Sequence, residues 1–347
     1  MSAKRPITII GGGLAGLTLG IGLRQRSIPV TVWEAGHYPR HRVCGEFISG
    51  RGQETLARLG LRERLVAAGA IPARTTAFFS PRASSPVREL PEPALSISRH
   101  ALDALLAEEF RRLGGDLREA ERWRGEEYSE GMVRATGRRL QPVVDGWRWF
   151  GLKVHARNVP LAADLEMHLS ASGYVGISRL QNGEVNICGL FRRFTSAADA
   201  PLPWLETLRG APGSLRYERL ANAVFDENSF CSVAGLSLAP QRASVSKECC
   251  VGDTLTMIPP VTGNGMSMAF ESAELAAAPL AAYSSGEMTW TEAQQLIARQ
   301  CDERFMRRLA WARMLQRLMF MSRLQNTLVP LVPRWQWLWR LLLARTR

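Results

Sequence analysis

The stretch Ile7-Thr8-Ile9-Ile10-Gly11-Gly12-Gly13-Leu14-Ala15-Gly16 decides the fold. A short apolar run after a polar start reads as a buried parallel strand. Gly11 to Gly13 make a turn. Leu14 to about Arg26 then read as a helix, with Leu14, Leu17, Leu19 and Leu23 set among small residues, and Val30 to Trp33 give a second strand closed by Glu34. This βαβ unit carries G-x-G-x-x-G after a strand and at a helix start, the context that gives the pattern meaning. Gly11 permits the tight turn, Gly13 lets the backbone approach a pyrophosphate, and Gly16 lets the helix pack on the strand. The helix N-terminus, at Leu14 and Ala15, offers unpaired N–H groups and partial positive charge to phosphates. Glu34, followed by Ala35, is placed to accept from adenosine ribose hydroxyls.

Working outward, Gln53 to about Ala68 read as a helix, and Pro72 to Pro93 as a strand-poor stretch. Ser98 caps a helix that ends at Gly114-Gly115. From about Trp147 to Phe194 the period becomes that of β-structure. Tyr174 to Ser178 and Val185 to Leu190 flank the Asn182-Gly183 turn as a hairpin, with Phe150 to Val154 and Leu165 to Leu169 as partners. Helical pattern returns over Met266 to Tyr283 and Thr289 to Leu328.

Composition sets outer bounds. At 46% hydrophobic and 22% charged, the chain is neither disordered nor collagenous. Cys44, Cys188, Cys231, Cys249, Cys250 and Cys301 form no CxxC pair, so neither a disulfide framework nor a zinc site is expected, and a reduced, cytoplasmic setting fits. Ser2 to Arg5 lead straight into a strand, which leaves no signal-peptide h-region. His37, His41, His100, His155 and His168 show no metal-ligand spacing, and no metal is expected.

The glycine pattern alone admits NAD as readily as FAD. A distant segment separates them: Val251-Gly252-Asp253, then Pro259-Pro260-Val261-Thr262-Gly263-Asn264-Gly265-Met266. An Asp at a strand end suits the ribityl hydroxyls of a flavin. The glycines bring N–H groups and a helix N-terminus to the flavin ring, where negative charge grows on reduction.

With these residues in view, the chain resembles the p-hydroxybenzoate-hydroxylase-like superfamily of FAD-dependent oxidoreductases. It is most similar to the branch of geranylgeranyl-reductase-like proteins and polyketide-cluster monooxygenases. The matching segments are Tyr38 to Phe47, Ser98-Arg99 with Leu102-Asp103, Ala135 to Arg139, Phe150 to Lys153, and Pro259 to Met266. The resemblance implies an α/β fold: a Rossmann-like FAD domain of the GR2 type from 1–75, 95–140 and 246–285, an inserted antiparallel β-sheet substrate domain from 76–94 and 141–245, and a helical basic tail over 286–347. It implies FAD contacts at Arg42 and Arg99, the alternative being surface arginines. It sets Cys44 and Glu46 toward the substrate, one as proton donor and the other as acid or orienting group; alternatively Cys44 is packing and Glu46 pairs with Arg42. The implied reaction is monooxygenation of an apolar aromatic, polyketide or lipid-like molecule through a flavin C4a-hydroperoxide. Reduction of isoprenoid double bonds and a flavin-binding membrane scaffold without turnover are the alternatives. With no second glycine-rich βαβ unit, NAD(P)H or a reduced partner protein serves as electron donor. The chain departs from the halogenase Trp-x-Trp-x-Ile-Pro motif, since Trp147-Arg148-Trp149-Phe150-Gly151 matches it only in part.

The net charge is +12, and after Glu303 ten arginines follow with no acid. Pro330, Pro333, Arg334 and Arg340 rule out a spanning segment. Trp and Arg together suit a membrane surface over 329–347, whereas 289–328 reads better as a helix on the core. No recognition motif points to nucleic acid.

Overall fold

The structure, a computed structural model, describes residues 3–125, 127–138, 143, 146–194, 203–239 and 241–331. The opening unit forms as read. Strand β1 (Ile7–Ile10) runs through the glycine turn into α1 (Leu14–Arg24) and returns as β2 (Val30–Glu34). β1 and β2 pair in parallel, from Ile7 with Val30 to Ile10 with Trp33. α1 is buried from Leu14 to Leu23. A helix that is apolar and small on every side needs cover on every side. The sheet lies under one face, and Gly20 lets the Phe110 ring come so close that a Cβ there would sit 2.8 Å from it.

Three more strands complete this sheet: β6 (Asp116–Glu119) and β7 (Met132–Arg134), absent from the sequence reading, and β13 (Cys249–Cys250), the strand expected ahead of Asp253. The order is β13-β7-β1-β2-β6, and every pairing is parallel. β13 is two residues long, yet it delivers Val251-Gly252-Asp253 to the end of the sheet where the glycine turn sits.

The second sheet has eight strands: β3 (Phe47–Ile48), β4 (Ile71–Phe79), β5 (Arg88–Ser96), β8 (Trp147–Arg157), β9 (Leu165–Leu169), β10 (Gly173–Arg179), β11 (Val185–Phe194) and β12 (Val224–Ala234). Their order is β12-β8-β11-β10-β9-β4-β5-β3. The β10–β11 hairpin and its partners β8 and β9 are those expected. Asn182 (φ 57°) and Gly183 (φ 71°) supply the left-handed backbone that its turn needs.

The strand-poor reading of Pro72 to Pro93 is corrected by β4 and β5. Pro91 and Pro93 fall where the β4–β5 register shifts, between the Ala73–Ala94 and Thr75–Glu89 pairs. A proline at such an irregularity removes no required ladder bond. The helix expected over 53–68 is two, α2 (Arg51–Arg58) and α3 (Arg62–Ala67), parted at Gly60 (φ 73°).

Helix α4 (Arg99–Arg112) starts at Ser98, whose hydroxyl accepts from Ala101 N–H. Short helix α5 (Trp204–Arg209) sets Trp204 against Phe225 and Phe230 of β12, and α6 (Leu215–Arg219) reaches β4 and β9 through Phe79 and Glu166. The C-terminal part holds α7 (Gly265–Ser285), α8 (Trp290–Met319) and α9 (Ser322–Leu331). α8 opens on a capping box of Thr289 and Glu292. It lies on the core, burying Ala293, Ile297, Cys301, Phe305, Leu309 and Ala312 at helical spacing. All six cysteines are free, and no described helix is long and apolar enough to cross a membrane. The tryptophans at 335, 337 and 339, on which the membrane reading rests, lie outside the described residues.

One buried ion pair fastens α8 to α7. Arg308 donates to both Glu271 oxygens at 2.7 and 3.1 Å, and Arg304 adds a third bond at 3.2 Å. Removing one partner strands a buried charge. Glu271→Ala is expected to lower stability by about 3 kcal/mol, read as a drop in the urea midpoint. The double change Glu271→Leu with Arg308→Leu is expected to recover most of that loss.

Candidate functional site

The glycine turn is built by close approach. A Cβ on Gly11 (φ 113°) would lie 2.2 Å from the Ala135 carbonyl oxygen, and one on Gly16 would lie 1.9 Å from the Gly11 carbonyl oxygen. Gly13 is different, with nothing within 4 Å of its Cβ position. It leaves open room at the α1 N-terminus, where no side chain caps the first turn. Beside the turn, at Glu34, stand Arg40 and Arg42, whereas Arg99 is buried and forked onto Asp103. The Arg42 guanidinium is pushed to lower pKa by burial, with Arg40 and Arg99 adding charge repulsion, and its Nε is buried without a partner. Clustered guanidiniums and free helix N–H groups form a receptor for a pyrophosphate.

Glu34 is buried at the end of β2 and braces the turn. Its oxygens accept from Gly12 N–H (3.0 Å) and Gly36 N–H (2.8 Å), and Arg40 lies 2.7 Å away. Burial raises its pKa, but Arg40 and the Gly36 N–H outweigh this and hold the carboxylate below its ordinary range. The Tyr38 hydroxyl donates to the Gly12 carbonyl, closing the same corner. Ala35 lies between Glu34 and Gly36 on that bend.

The distant segment meets the turn directly. Gly252 (φ 66°) packs so near α1 that a Cβ would be 2.7 Å from the Ala15 methyl, and its N–H donates to Ser272 Oγ at 2.9 Å. Asp253 follows, 3.6 Å from Arg138, with its pKa raised by burial and opposed by Arg138 and Arg99. The Pro260–Thr262 turn ends at Gly263 (φ 62°), whose Cβ would strike the Phe47 ring at 2.1 Å. α7 then begins at Gly265 and Met266 after Asn264, with no acidic residue in its first turn. Two helix N-termini, a carboxylate acceptor and the arginines Arg40, Arg42 and Arg138 are thus gathered by segments about 240 positions apart. These residues fit FAD: the α1 end suits the pyrophosphate, Asp253 suits the ribityl hydroxyls, and the α7 end suits the flavin ring.

The Cys44–Phe47 loop joins the two sheets. Glu46 (φ 57°) has no solvent exposure. Its carboxylate accepts from Arg99 N–H at 2.9 Å, lies 2.6 Å from His155 Nε2, and is 3.5 Å from Lys153 Nζ. Burial raises its pKa, yet His155 and Lys153 outweigh this and keep it below the usual range, so the group is ionised near neutral pH. Its partners are therefore not Arg42, which instead lies 3.9 Å from Glu34. Fully buried Lys153 also reaches His41 Nδ1 at 2.9 Å, and His41 stacks on His100. Cys44 is half-buried, and its carbonyl accepts from Asn186 Nδ2 at 3.0 Å. Arg99 forks onto Asp103 at 2.7 and 2.8 Å, while its own backbone N–H, held by Glu46, ties α4 to this loop.

Lys153, Asn186, Arg138 and His41 were missed as site residues. A signal for one of them existed: Lys153 is two positions from His155 on β8 and so shares its face. His41, Glu46 and His155 bring ligand atoms within 4.8 Å of one another, and Lys153 Nζ reaches two of the three, 2.9 Å from His41 and 3.5 Å from Glu46.

Residues 4–143 match the model of the FAD binding domain family. A curated relative, Conditioned medium factor receptor 1 of Dictyostelium discoideum, is 28% identical over 125 residues, 33% of this chain and 24% of that protein. The match thus spans about a quarter of that relative's length. Among solved structures, a flavin-dependent brominase has a TM-score of 0.75 at 16% identity, covering 100% of this chain and 95% of its own. A flavoprotein/dehydrogenase from Cytophaga hutchinsonii has 0.74 at 15%, covering 94% and 88%. PqsL of P. aeruginosa, solved with 2-aminobenzoylacetate, has 0.71 at 13%, covering 94% and 98%. These likenesses establish a shared fold, and the chain carries an FAD-binding domain.

Gly13→Val and Asp253→Ala are each expected to remove most bound flavin, read as loss of yellow colour and of the absorbance ratio of flavin to protein. Full flavin content in both variants would sink the assignment of this site. A second expectation concerns acid. His41 is pushed down to about 4 by burial, with Lys153, His155 and His100 adding to the effect and Glu46 opposing it. A base with a depressed folded pKa costs the fold stability as pH falls from about 6.5 toward about 4, because the unfolded chain binds the proton first. Glu46 acts in a lower window, its contribution being lost as pH falls below about 4.5. His41→Asn, which keeps an acceptor for Lys153, is expected to flatten the fall in melting temperature between pH 6.5 and 4. An unchanged profile would count against this assignment.

Proposed function

We propose that this chain, whose fold and N-terminal domain are those of the p-hydroxybenzoate-hydroxylase-like FAD-dependent oxidoreductases, is a monooxygenase acting on an apolar substrate. The observation that carries the reading is a buried apolar layer over the second sheet, beside the flavin loop. Leu169, Tyr174 and Leu190 from the strands meet Met257 and Val261 from the loop, and Val329 of α9 closes over them. Oxygen transfer needs such exclusion of water.

FAD, when bound and reduced by NAD(P)H or a reduced partner protein, supplies the activation of O₂ for transfer of one oxygen atom. The chain's own residues bind, orient and shield. Gly13, Leu14, Ala15 and Gly16 present the turn and helix N–H groups to the pyrophosphate, with Arg42 close by. Asp253 accepts from the ribityl hydroxyls, while Pro260, Gly263, Asn264, Gly265 and Met266 shape the edge where negative charge develops on reduction. Glu46 holds no proton to give near neutral pH, so its role is to orient. Pinned by Arg99 N–H, His155 and Lys153, it fixes the backbone that presents Cys44.

The runner-up, reduction of an isoprenoid or lipid double bond, needs a protonated side chain at the substrate, and with Glu46 ionised only Cys44 of that pair remains to serve. Stopped-flow oxidation separates the two. Reduced protein mixed with O₂ is expected to pass through a transient whose spectrum matches neither reduced nor oxidised flavin. A single-phase return to the oxidised spectrum would overturn the monooxygenase reading. Glu46→Gln is expected to retain flavin but shorten that transient several-fold, because the loop loses its charged anchor.

A further inference from the structure

A cavity of about 300 Å³ opens between the second sheet and α8, with Pro259 of the flavin loop in its wall. Three guanidiniums line it: Arg192 from β11, and Arg313 and Arg317 from α8. Among the described residues none of the three has a carboxylate within ion-pair reach. The sequence explains this locally, since no acid follows Glu303. Arg192 lies between two rings, 4.7 Å from Trp147 and 4.8 Å from Phe320, and its Nε is buried without a hydrogen-bond partner. Gln316, 8% exposed, also lines the cavity, and its amide oxygen is likewise buried and unpartnered. A half-turn of the amide would present its NH₂ instead. Trp149 and Phe320, edge to face at 5.2 Å, give the cavity an apolar corner.

Like charges gathered at one opening repel, and unmatched buried polar atoms cost free energy. An anionic ligand relieves both. From this arrangement we infer that the cavity is the outer end of the substrate site, and that the substrate is an apolar molecule bearing a carboxylate or phosphate. The guanidinium forks take the anion, bidentate geometry being what arginine offers over lysine. Trp149 and Phe320 take the apolar body, and Pro259 marks the direction of the flavin. This inference rests on the flavin reading for its second half, while the anion preference stands on the arginines alone.

The test uses the full chain loaded with FAD and three probes of one ring system: naphthoate, naphthyl phosphate and naphthol. Calorimetry is expected to show one or both anions binding at least about tenfold tighter than naphthol, the size of one charge-assisted hydrogen bond. Which anion leads identifies the headgroup. In Arg313→Gln/Arg317→Gln, whose side chains lie toward the surface, that preference is expected to collapse to within about twofold. Equal binding of all three probes, or a preference that survives in the double variant, would overturn the inference. Binding is also expected to shift the flavin absorbance bands. Anion binding without such a shift would detach the cavity from the flavin and overturn its assignment as a substrate site. Should the protein hold no flavin at all, the FAD reading falls by itself, and calorimetry on the same chain still decides the anion preference.

Discussion

The Glu46 carboxylate is the point on which the two halves of this molecule depend. It is fully buried and takes a backbone N–H from α4, an imidazole and an ammonium from β8. A lone buried carboxylate would be driven to its neutral form, and here its donors keep it charged. The consequence is positional. Each donor has a direction, so the loop from Cys44 to Phe47 has one place to lie, with its Glu46 backbone held at φ 57°. Phe47, next in the chain, then seats against Gly263, and the flavin loop is located relative to the second sheet.

The rest of the site follows from small residues where bulk would collide. Gly252 against Ala15 and Gly263 against Phe47 are contacts in which a Cβ has no room. They convert sequence distance into proximity: the pyrophosphate end and the ring end of one cofactor site are set by the same packing. Arginine is used in two ways around them. Arg99 and Arg308 are buried and matched to Asp103 and Glu271. Arg192, Arg313 and Arg317 line an open cavity without acidic partners among the described residues. The first kind holds structure, and the second leaves charge free for a ligand.

Much of the dinucleotide half was legible in the chain, because its signals are local. A turn that needs glycine, a helix that must be small on every side, and a strand ended by Glu34 all lie within 28 residues, from Ile7 to Glu34. The β10–β11 hairpin was equally readable from Asn182-Gly183. The strands β4 and β5 were obscured by their prolines, since a sequence does not show which N–H groups a bulge leaves free. β6 and β7 were too short to carry a period of their own, and they exist because a parallel sheet was already there to pair with.

By itself, then, the sequence determined the cofactor class and the fold class: glycine's freedom at φ near 113° and the absence of a Cβ at a helix mouth are properties of single residues read in order. Only the tertiary structure decided what surrounds the reactive end. Lys153, His155, Asn186 and His41 are ordinary residues in sequence, and their meaning comes from lying within hydrogen-bond reach of one loop. Burial and partner charge are sums over neighbours from distant segments, and no local pattern encodes such a sum.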